Sequence, residues 1–391
     1  MRRFFWLLAL CFLVSGCSNV TSMVNNLGKS KTDDEGERIA PAVLQSFQPE
    51  VQFTKLWSNH TVGEYNAVNG GIQPAMLNGL VYLADSEGKV AAIDAASGED
   101  RWEVELDVAI GGGVGVGGDL VLVGSLEGDV FALDAATGEQ RWHAYVTSEV
   151  LAAPGTNGDM VVVQSQDGRL AGLDAENGEQ RWIFESDVPV LTMRGTTSPQ
   201  VGYDLVIATF ANGKVYALNP RTGSQVWENR VAIPQGRTEL ERMVDIDSQP
   251  VQVGEVVYVA SYQGRIGALA RSTGKGIWYQ DTSTTRDLAY SLEQIYLIQK
   301  NDAVEALRAS SGQQLWLNDQ LTYRQLSSPT VFGGYLVVGD AEGYVHVLSL
   351  TDGRFVARNR VGDGVSAPML SHGGVLYVQD NGGGLTAFSI E

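Results

Sequence analysis

The chain has 391 residues, 44% of them hydrophobic and 19% charged, with 46 glycines, 11 prolines and a formal net charge of -19. This composition excludes a disordered polymer and fits a folded, turn-rich protein with a large core. The acidic balance disfavours nucleic acid and an anionic membrane surface as electrostatic partners, and a basic protein surface is its natural complement.

At the N-terminus, Arg2 and Arg3 precede an apolar run from Phe4 to Val14 and the small residues Ser15 and Gly16. This is the build of a secretory signal over residues 1–16. A transmembrane anchor needs about 20 apolar residues, and the polar stretch from Ser18 and Asn19 onward ends the run early. Val14-Ser15-Gly16-Cys17 resembles the bacterial lipobox, whose cysteine carries a thioether-linked diacylglycerol and becomes an acylated N-terminus after cleavage. The resemblance implies lipidation of Cys17, with stable anchoring from several acyl chains at about 0.8 kcal/mol per buried methylene. Ser18, in place of the Asp typical of inner-membrane retention, implies delivery to the outer membrane. Loss of Arg2 and Arg3 takes the charge from -19 to -21. Cys11, the other cysteine, lies in the cleaved segment, so the mature chain has no thiol pair for an internal disulfide. Residues 17–49 are polar and aperiodic, and read as a flexible tether of about 30 Å typical reach. A single domain is expected over residues 50–391.

Within that domain one pattern recurs. Gly88 to Ile93 leads into Asp94-Ala-Ala-Ser-Gly98 and then Trp102, and the same run appears from Gly128 to Trp142 and from Gly168 to Trp182. Copies from Gly213 to Trp227 and Gly264 to Trp278 carry Asn219 and Ala270 in place of the aspartate. Those from Asp302 to Trp316 and Gly343 to Ala357 are more degenerate, and an eighth begins at Gly383. The starts lie 38 to 51 residues apart, the length of a four-stranded propeller blade. The expectation is an all-β, eight-bladed β-propeller. Val51 to Trp57 supplies a tryptophan-bearing strand without a preceding motif, so the N-terminal strand is expected to complete the last blade and remove its open edge. In each copy the apolar run predicts a strand buried between neighbouring sheets, the aspartate a turn cap and the glycine a positive φ. The tryptophan is expected to pack between blades as core.

Catalytic chemistry is poorly supported. Asp94, Asp134 and Asp174 occupy equivalent turns on separate blades and do not converge on one ion. His60, His143, His346 and His372 are scattered without metal-ligand spacing, so no metal or cofactor is expected. Gly111 to Gly118 is rich in glycine but lacks a following Gly-Lys-Ser/Thr, and is expected to be an inner strand crowded against the central channel. Fold alone leaves open a quinone- or sugar-dependent periplasmic enzyme and a propeller that binds a small ligand in its channel.

The stretch from each repeat tryptophan to the next motif start is 26 residues for Trp102, Trp142 and the equivalent Ala357, but 31 after Trp182 and 37 after Trp227. The stretch after Trp57 is also 31, so length alone does not decide. The two adjacent long segments carry Leu191, Met193, Arg194 and Gly195, and Asp245 and Asp247. Residues two apart on an extended chain share a face, which pairs Leu191 with Met193 and Asp245 with Asp247. Apolar anchors, an arginine and two carboxylates suit a protein-binding patch. Equally, Arg194 bridging to Asp245 or Asp247 would stiffen two blades.

The Ala-Leu-Asp-Ala-x-Thr-Gly-x-x-x-Trp pattern resembles quinoprotein repeats, also found in alcohol dehydrogenases that use pyrroloquinoline quinone. Those enzymes hold calcium, an aspartate base and often a vicinal disulfide, which this chain cannot form. Lipobox, eight repeats and length together resemble the BamB family, the lipoprotein subunits of the outer-membrane β-barrel assembly (BAM) machinery. The resemblance implies a non-enzymatic scaffold without cofactor, lipid-anchored in the outer membrane and facing the periplasm. It implies that Leu191, Met193, Arg194, Gly195, Asp245 and Asp247 meet the POTRA domains of BamA, with the other BAM subunits and unfolded outer-membrane proteins as further partners. Met193 departs from the family's usual Leu while keeping its apolar volume.

Overall fold

Each repeat folds into four antiparallel strands because two consecutive apolar runs pair at the centre and a short and a half-polar strand flank them. Blade 1 comprises Ala75–Leu77, Leu80–Ala84, Lys89–Asp94 and Asp100–Glu105. Its two central strands are buried, whereas the fourth alternates between inward and exposed residues. The structure is a computed structural model that describes residues 40–64, 71–189, 191–192, 196–238 and 240–390. Among the described residues there is no helix, and thirty-two strands make eight such sheets. We number blades 2 to 8 by their third strands: Asp129–Asp134, Arg169–Asp174, Lys214–Leu218, Gly264–Ala270, Val304–Arg308, Tyr344–Ser349 and Leu385–Ile390. Phe53–Asn59 pairs antiparallel with Leu385–Ile390 and completes blade 8, as the sequence predicted.

The motif is an inter-blade joint. Trp102 donates its indole N–H to Ala135 O of the next blade at 3.1 Å, Trp142 to Ala175 O at 2.9 Å and Trp182 to Pro220 O at 2.8 Å. Trp57, Trp227, Trp278 and Trp316 do the same to Ala95, Arg271, Ala309 and Leu350. The motif glycine receives the ring: a Cβ on Gly178, where φ is +73°, would lie 2.7 Å from the indole of Trp142. A side chain there is excluded both by the backbone and by the close approach. The motif aspartate caps the turn, Asp94 Oδ1 accepting from the backbone N–H of Ala96 and Ser97 at 3.1 and 2.9 Å. Its other oxygen takes Arg101 at 2.5 Å, which holds the carboxyl far below its usual range. Asp134 with Arg141 and Asp174 with Arg181 repeat the arrangement.

The glycine-rich strand Ile110–Gly117 is the innermost strand of blade 2. A Cβ on Gly112 would lie 2.4 Å from Ala152 O, and one on Gly115 2.0 Å from Pro154 O. The crowding that demands glycine comes from the backbone leading into blade 3, rather than from the channel itself.

Candidate functional site

In a propeller the connections from each outer strand to the next inner strand emerge on one face and set what that face offers to a partner. Among the described residues of these connections, large apolar side chains are exposed in two only. Blade 3 to blade 4 presents Val188 and Leu191, the latter 45% exposed, and blade 4 to blade 5 presents Ile233 and Leu240, the latter 63% exposed. The two connections meet: Val188 and Thr192 of the first and Ile246 of the second line one cleft with Phe210. Ile246 is itself buried in the core of blades 4 and 5, beside Trp227 and Val257, which fixes the residues on either side of it.

Those residues are Asp245 and Asp247. The chain here is pinned just before the inner strand Val251–Val253. Tyr262 N donates to Asp245 O at 2.8 Å, and Ser248 Oγ donates to Ala260 O at 2.8 Å. Asp245 is buried, and its carboxyl adjoins that of Asp247. Burial pushes the Asp247 carboxyl well above the usual carboxylate range, and the charges of Asp245 and Asp287 push it the same way. Asp287, at the entry to the inner strand of blade 6, accepts from Gln249 N at 2.7 Å. Burial raises its carboxyl too, against that bond and one from Ser328. The exposed apolar residues of the two connections, beside acidic side chains at the entries of the inner strands of blades 5 and 6, form a surface suited to a partner that offers an apolar side chain.

The structure thus brings Leu191's connection and the Asp245 and Asp247 segment together. Met193, Arg194 and Gly195 lie outside the described residues, as does Cys17. Sequence reasoning missed Ile233, Leu240 and Asp287. The first two are isolated apolar residues in a polar stretch. Asp287 is a lone aspartate whose neighbours come from another blade, and only its place two residues before a strand hinted at it. Among the described residues no three His, Cys, Asp or Glu side chains form a metal-ligand set.

Comparison with known proteins bears on the same fold. A family model described as outer membrane protein assembly factor BamB matches residues 50–108, 86–318 and 300–391. The outer membrane protein assembly factor BamB of Pseudomonas aeruginosa is 48% identical over 385 residues, covering 98% of each chain. The crystal structure of BamB from Moraxella catarrhalis, 29% identical, superposes with a TM-score of 0.79 over 86% of this chain and 100% of that one. The quinohemoprotein alcohol dehydrogenase of Comamonas testosteroni superposes with a TM-score of 0.69 over 86% of this chain and 76% of its own. At 15% identity this shows a shared fold alone. Full-length similarity at the 48% level, repeated over all eight blades, goes beyond shared architecture, and the chain belongs to the BamB family of outer membrane protein assembly factors.

Proposed function

We propose that the protein is a non-enzymatic scaffold of the BAM machinery that docks on the periplasmic POTRA domains of BamA. The docking surface is the rim made by Leu191, Met193, Arg194 and Gly195 on one connection and Asp245 and Asp247 on the next. The observation that carries this reading is the concentration of exposed apolar residues on two adjacent connections, beside the acidic segment that bears Asp245 and Asp247. The chain is held at the outer membrane through lipidated Cys17, faces the periplasm, and assists folding and insertion of β-barrel proteins together with the other BAM subunits.

The test is binding of the full mature chain to the periplasmic region of BamA, with Arg194→Ala, Asp245→Ala and Leu191→Ala as variants. Loss of one partner of a buried charge contact costs about 2–5 kcal/mol, so each charge variant is expected to weaken binding at least tenfold while keeping its fold. Wild-type affinity in all three would remove the rim from the reading, and absence of wild-type binding would remove BamA.

A further inference from the structure

Seven joints of the ring carry a tryptophan, but the joint from blade 7 to blade 8 does not. In register, Ala92 faces Trp102 in blade 1 and Ala306 faces Trp316 in blade 6, whereas Val347 faces Ala357 in blade 7. An indole that elsewhere buries on the order of 200 Å² is missing there.

The chain segment that leads into the first strand crosses blade 7, with its earlier part on the side facing blade 6 and Val51 and Phe53 at this joint. Phe47 stacks on Phe355 with ring centroids 5.6 Å apart, and Phe53 packs on Phe388 at 4.8 Å. Val51 and Phe53 join the core cluster formed by Val356, Ala357 and Phe388. Glu50 N donates to Val356 O at 2.8 Å, while the Glu50 carboxylate receives Arg354 at 3.1 and 2.8 Å. Further back, Leu44 packs into the cluster around Trp316 and Leu350, and Ala42 N donates to Thr322 O at 2.9 Å.

Two arginines receive the segment's backbone. Arg324, buried, donates to Ala42 O at 3.0 Å, and Arg358 donates to Gln45 O at 2.9 Å. Both are braced from behind. Arg324 Nε donates to Asp340 Oδ2 at 2.7 Å, and Arg358 Nε donates to Nδ1 of buried His346 at 2.9 Å. Since Nδ1 accepts, the ring proton sits on Nε2, which contacts the same Asp340 oxygen at 2.9 Å. A largely buried network of four ionisable side chains, His346 and Arg358 from neighbouring strands and Arg324 and Asp340 from loops, is costly unless its members find partners. Here two of its outward ends are carbonyl oxygens of residues 42 and 45.

We propose that the outer strand of blade 7 and the connection leading into that blade form a docking site for residues 42–50 of the same chain, which act as a strap on the side facing blade 6 and deliver Val51 and Phe53 to the eighth joint, where the tryptophan is missing. The strap also fixes where residue 42 meets the propeller, at the connection from blade 6 to blade 7, two blades on from the connection that bears Asp245. Counted from Ala42 rather than Pro49, the arm back to Cys17 spans at most about 85 Å. Its role as a membrane tether rests on the lipid-anchor reading above; the docking does not.

The experiment is hydrogen exchange and thermal unfolding of the full mature chain, acylated and unacylated, comparing wild type with Phe47→Asp and Ala42→Pro. The strap variants leave the eight sheets untouched. Protection of the Ala42 and Glu50 amides in wild type is expected in both forms. Phe47→Asp is expected to lose that protection, speed exchange in residues 355–358 and lower Tm by about 2–4 °C. Ala42→Pro removes one donor and is expected to free residues 42–45 only. Free-peptide exchange of 42–50 in wild type, or Phe47→Asp with unchanged Tm and unchanged exchange in blade 7, would overturn the proposal. Absence of acylation would remove the anchor while leaving the docking result intact.

Discussion

At the scale of single residues, two buried titratable groups put a pH signature on the molecule. His346 is held neutral by burial, reinforced by the charges of Arg358 and Arg324 and opposed by Asp340. The rings of Tyr344 and Phe355 close its surroundings, and Glu342 is engaged by Arg324. Because its folded value lies below the ordinary 6.5, the unfolded chain takes up the proton first on acidification. The contribution of His346 to stability is complete above pH 6.5 and is lost as pH falls from there through the folded value. A second ring proton would also meet Arg358 Nε–H at Nδ1 and undo the bracing behind Gln45. Thermal unfolding from pH 7.5 to 5 should therefore show a falling Tm, with a shallower slope in His346→Gln. Asp247 has the opposite sign. Its raised folded value means that the folded state keeps the proton longer, so stability declines as pH rises through the window above 3.8. Asp247→Asn is expected to raise Tm at pH 7.5, to lose that advantage by pH 4, and to weaken BamA binding. An enhanced Tm with intact binding would show the carboxylate to be merely tolerated.

At the scale of elements, the repeated unit is the joint rather than the blade. Trp142 docks on Gly178 and donates to Ala175 O, so one side chain ties the outer strand of blade 2 to the turn of blade 3. Trp142→Ala should cost about 3–5 kcal/mol, and Trp142→Phe should cost only the hydrogen bond plus a small packing loss, about 1 kcal/mol. Gly178→Ala, a one-methyl change, must place a Cβ at φ +73° against the ring and is expected to cost at least about 1–2 kcal/mol. Urea denaturation of the three variants checks the order: alanine for tryptophan worst, phenylalanine mildest. The sequence had marked tryptophan and glycine as core and turn residues, and the structure joins them into one contact. The arginine one residue before the tryptophan went unread. It pairs with the motif aspartate at Asp94, Asp134 and Asp174.

At the scale of the molecule, a net charge of -19 over the whole sequence and carboxylates at the proposed rim argue for a partner with a basic surface. Opposite charge acts mainly on encounter, and mobile ions screen it over about 10 Å at 0.1 M salt. Association with the periplasmic region of BamA is expected to slow by about tenfold or more between 0.05 and 0.5 M salt, with a smaller change in dissociation. Surface plasmon resonance at several ionic strengths separates the two rates.

The number of blades, their order and the closure by the N-terminal strand were legible in the sequence, because each depends on a local period. Apolar runs, turn residues and tryptophan recur at blade length whatever surrounds them. The two long connections were legible for the same reason, as departures from that period. The third carboxylate Asp287, the exposed Ile233 and Leu240, and the source of crowding at Gly112 and Gly115 were decided by tertiary structure, since each depends on a neighbouring blade. So was the strap. Nothing in the spacing of Leu44 and Phe47 names the blade they meet, and Arg324, Asp340, His346 and Arg358 have no motif in common. They meet because the N-terminal segment crosses blade 7, its carbonyls and Phe47 on the side facing blade 6 and its Val51 and Phe53 at the joint that lacks an indole.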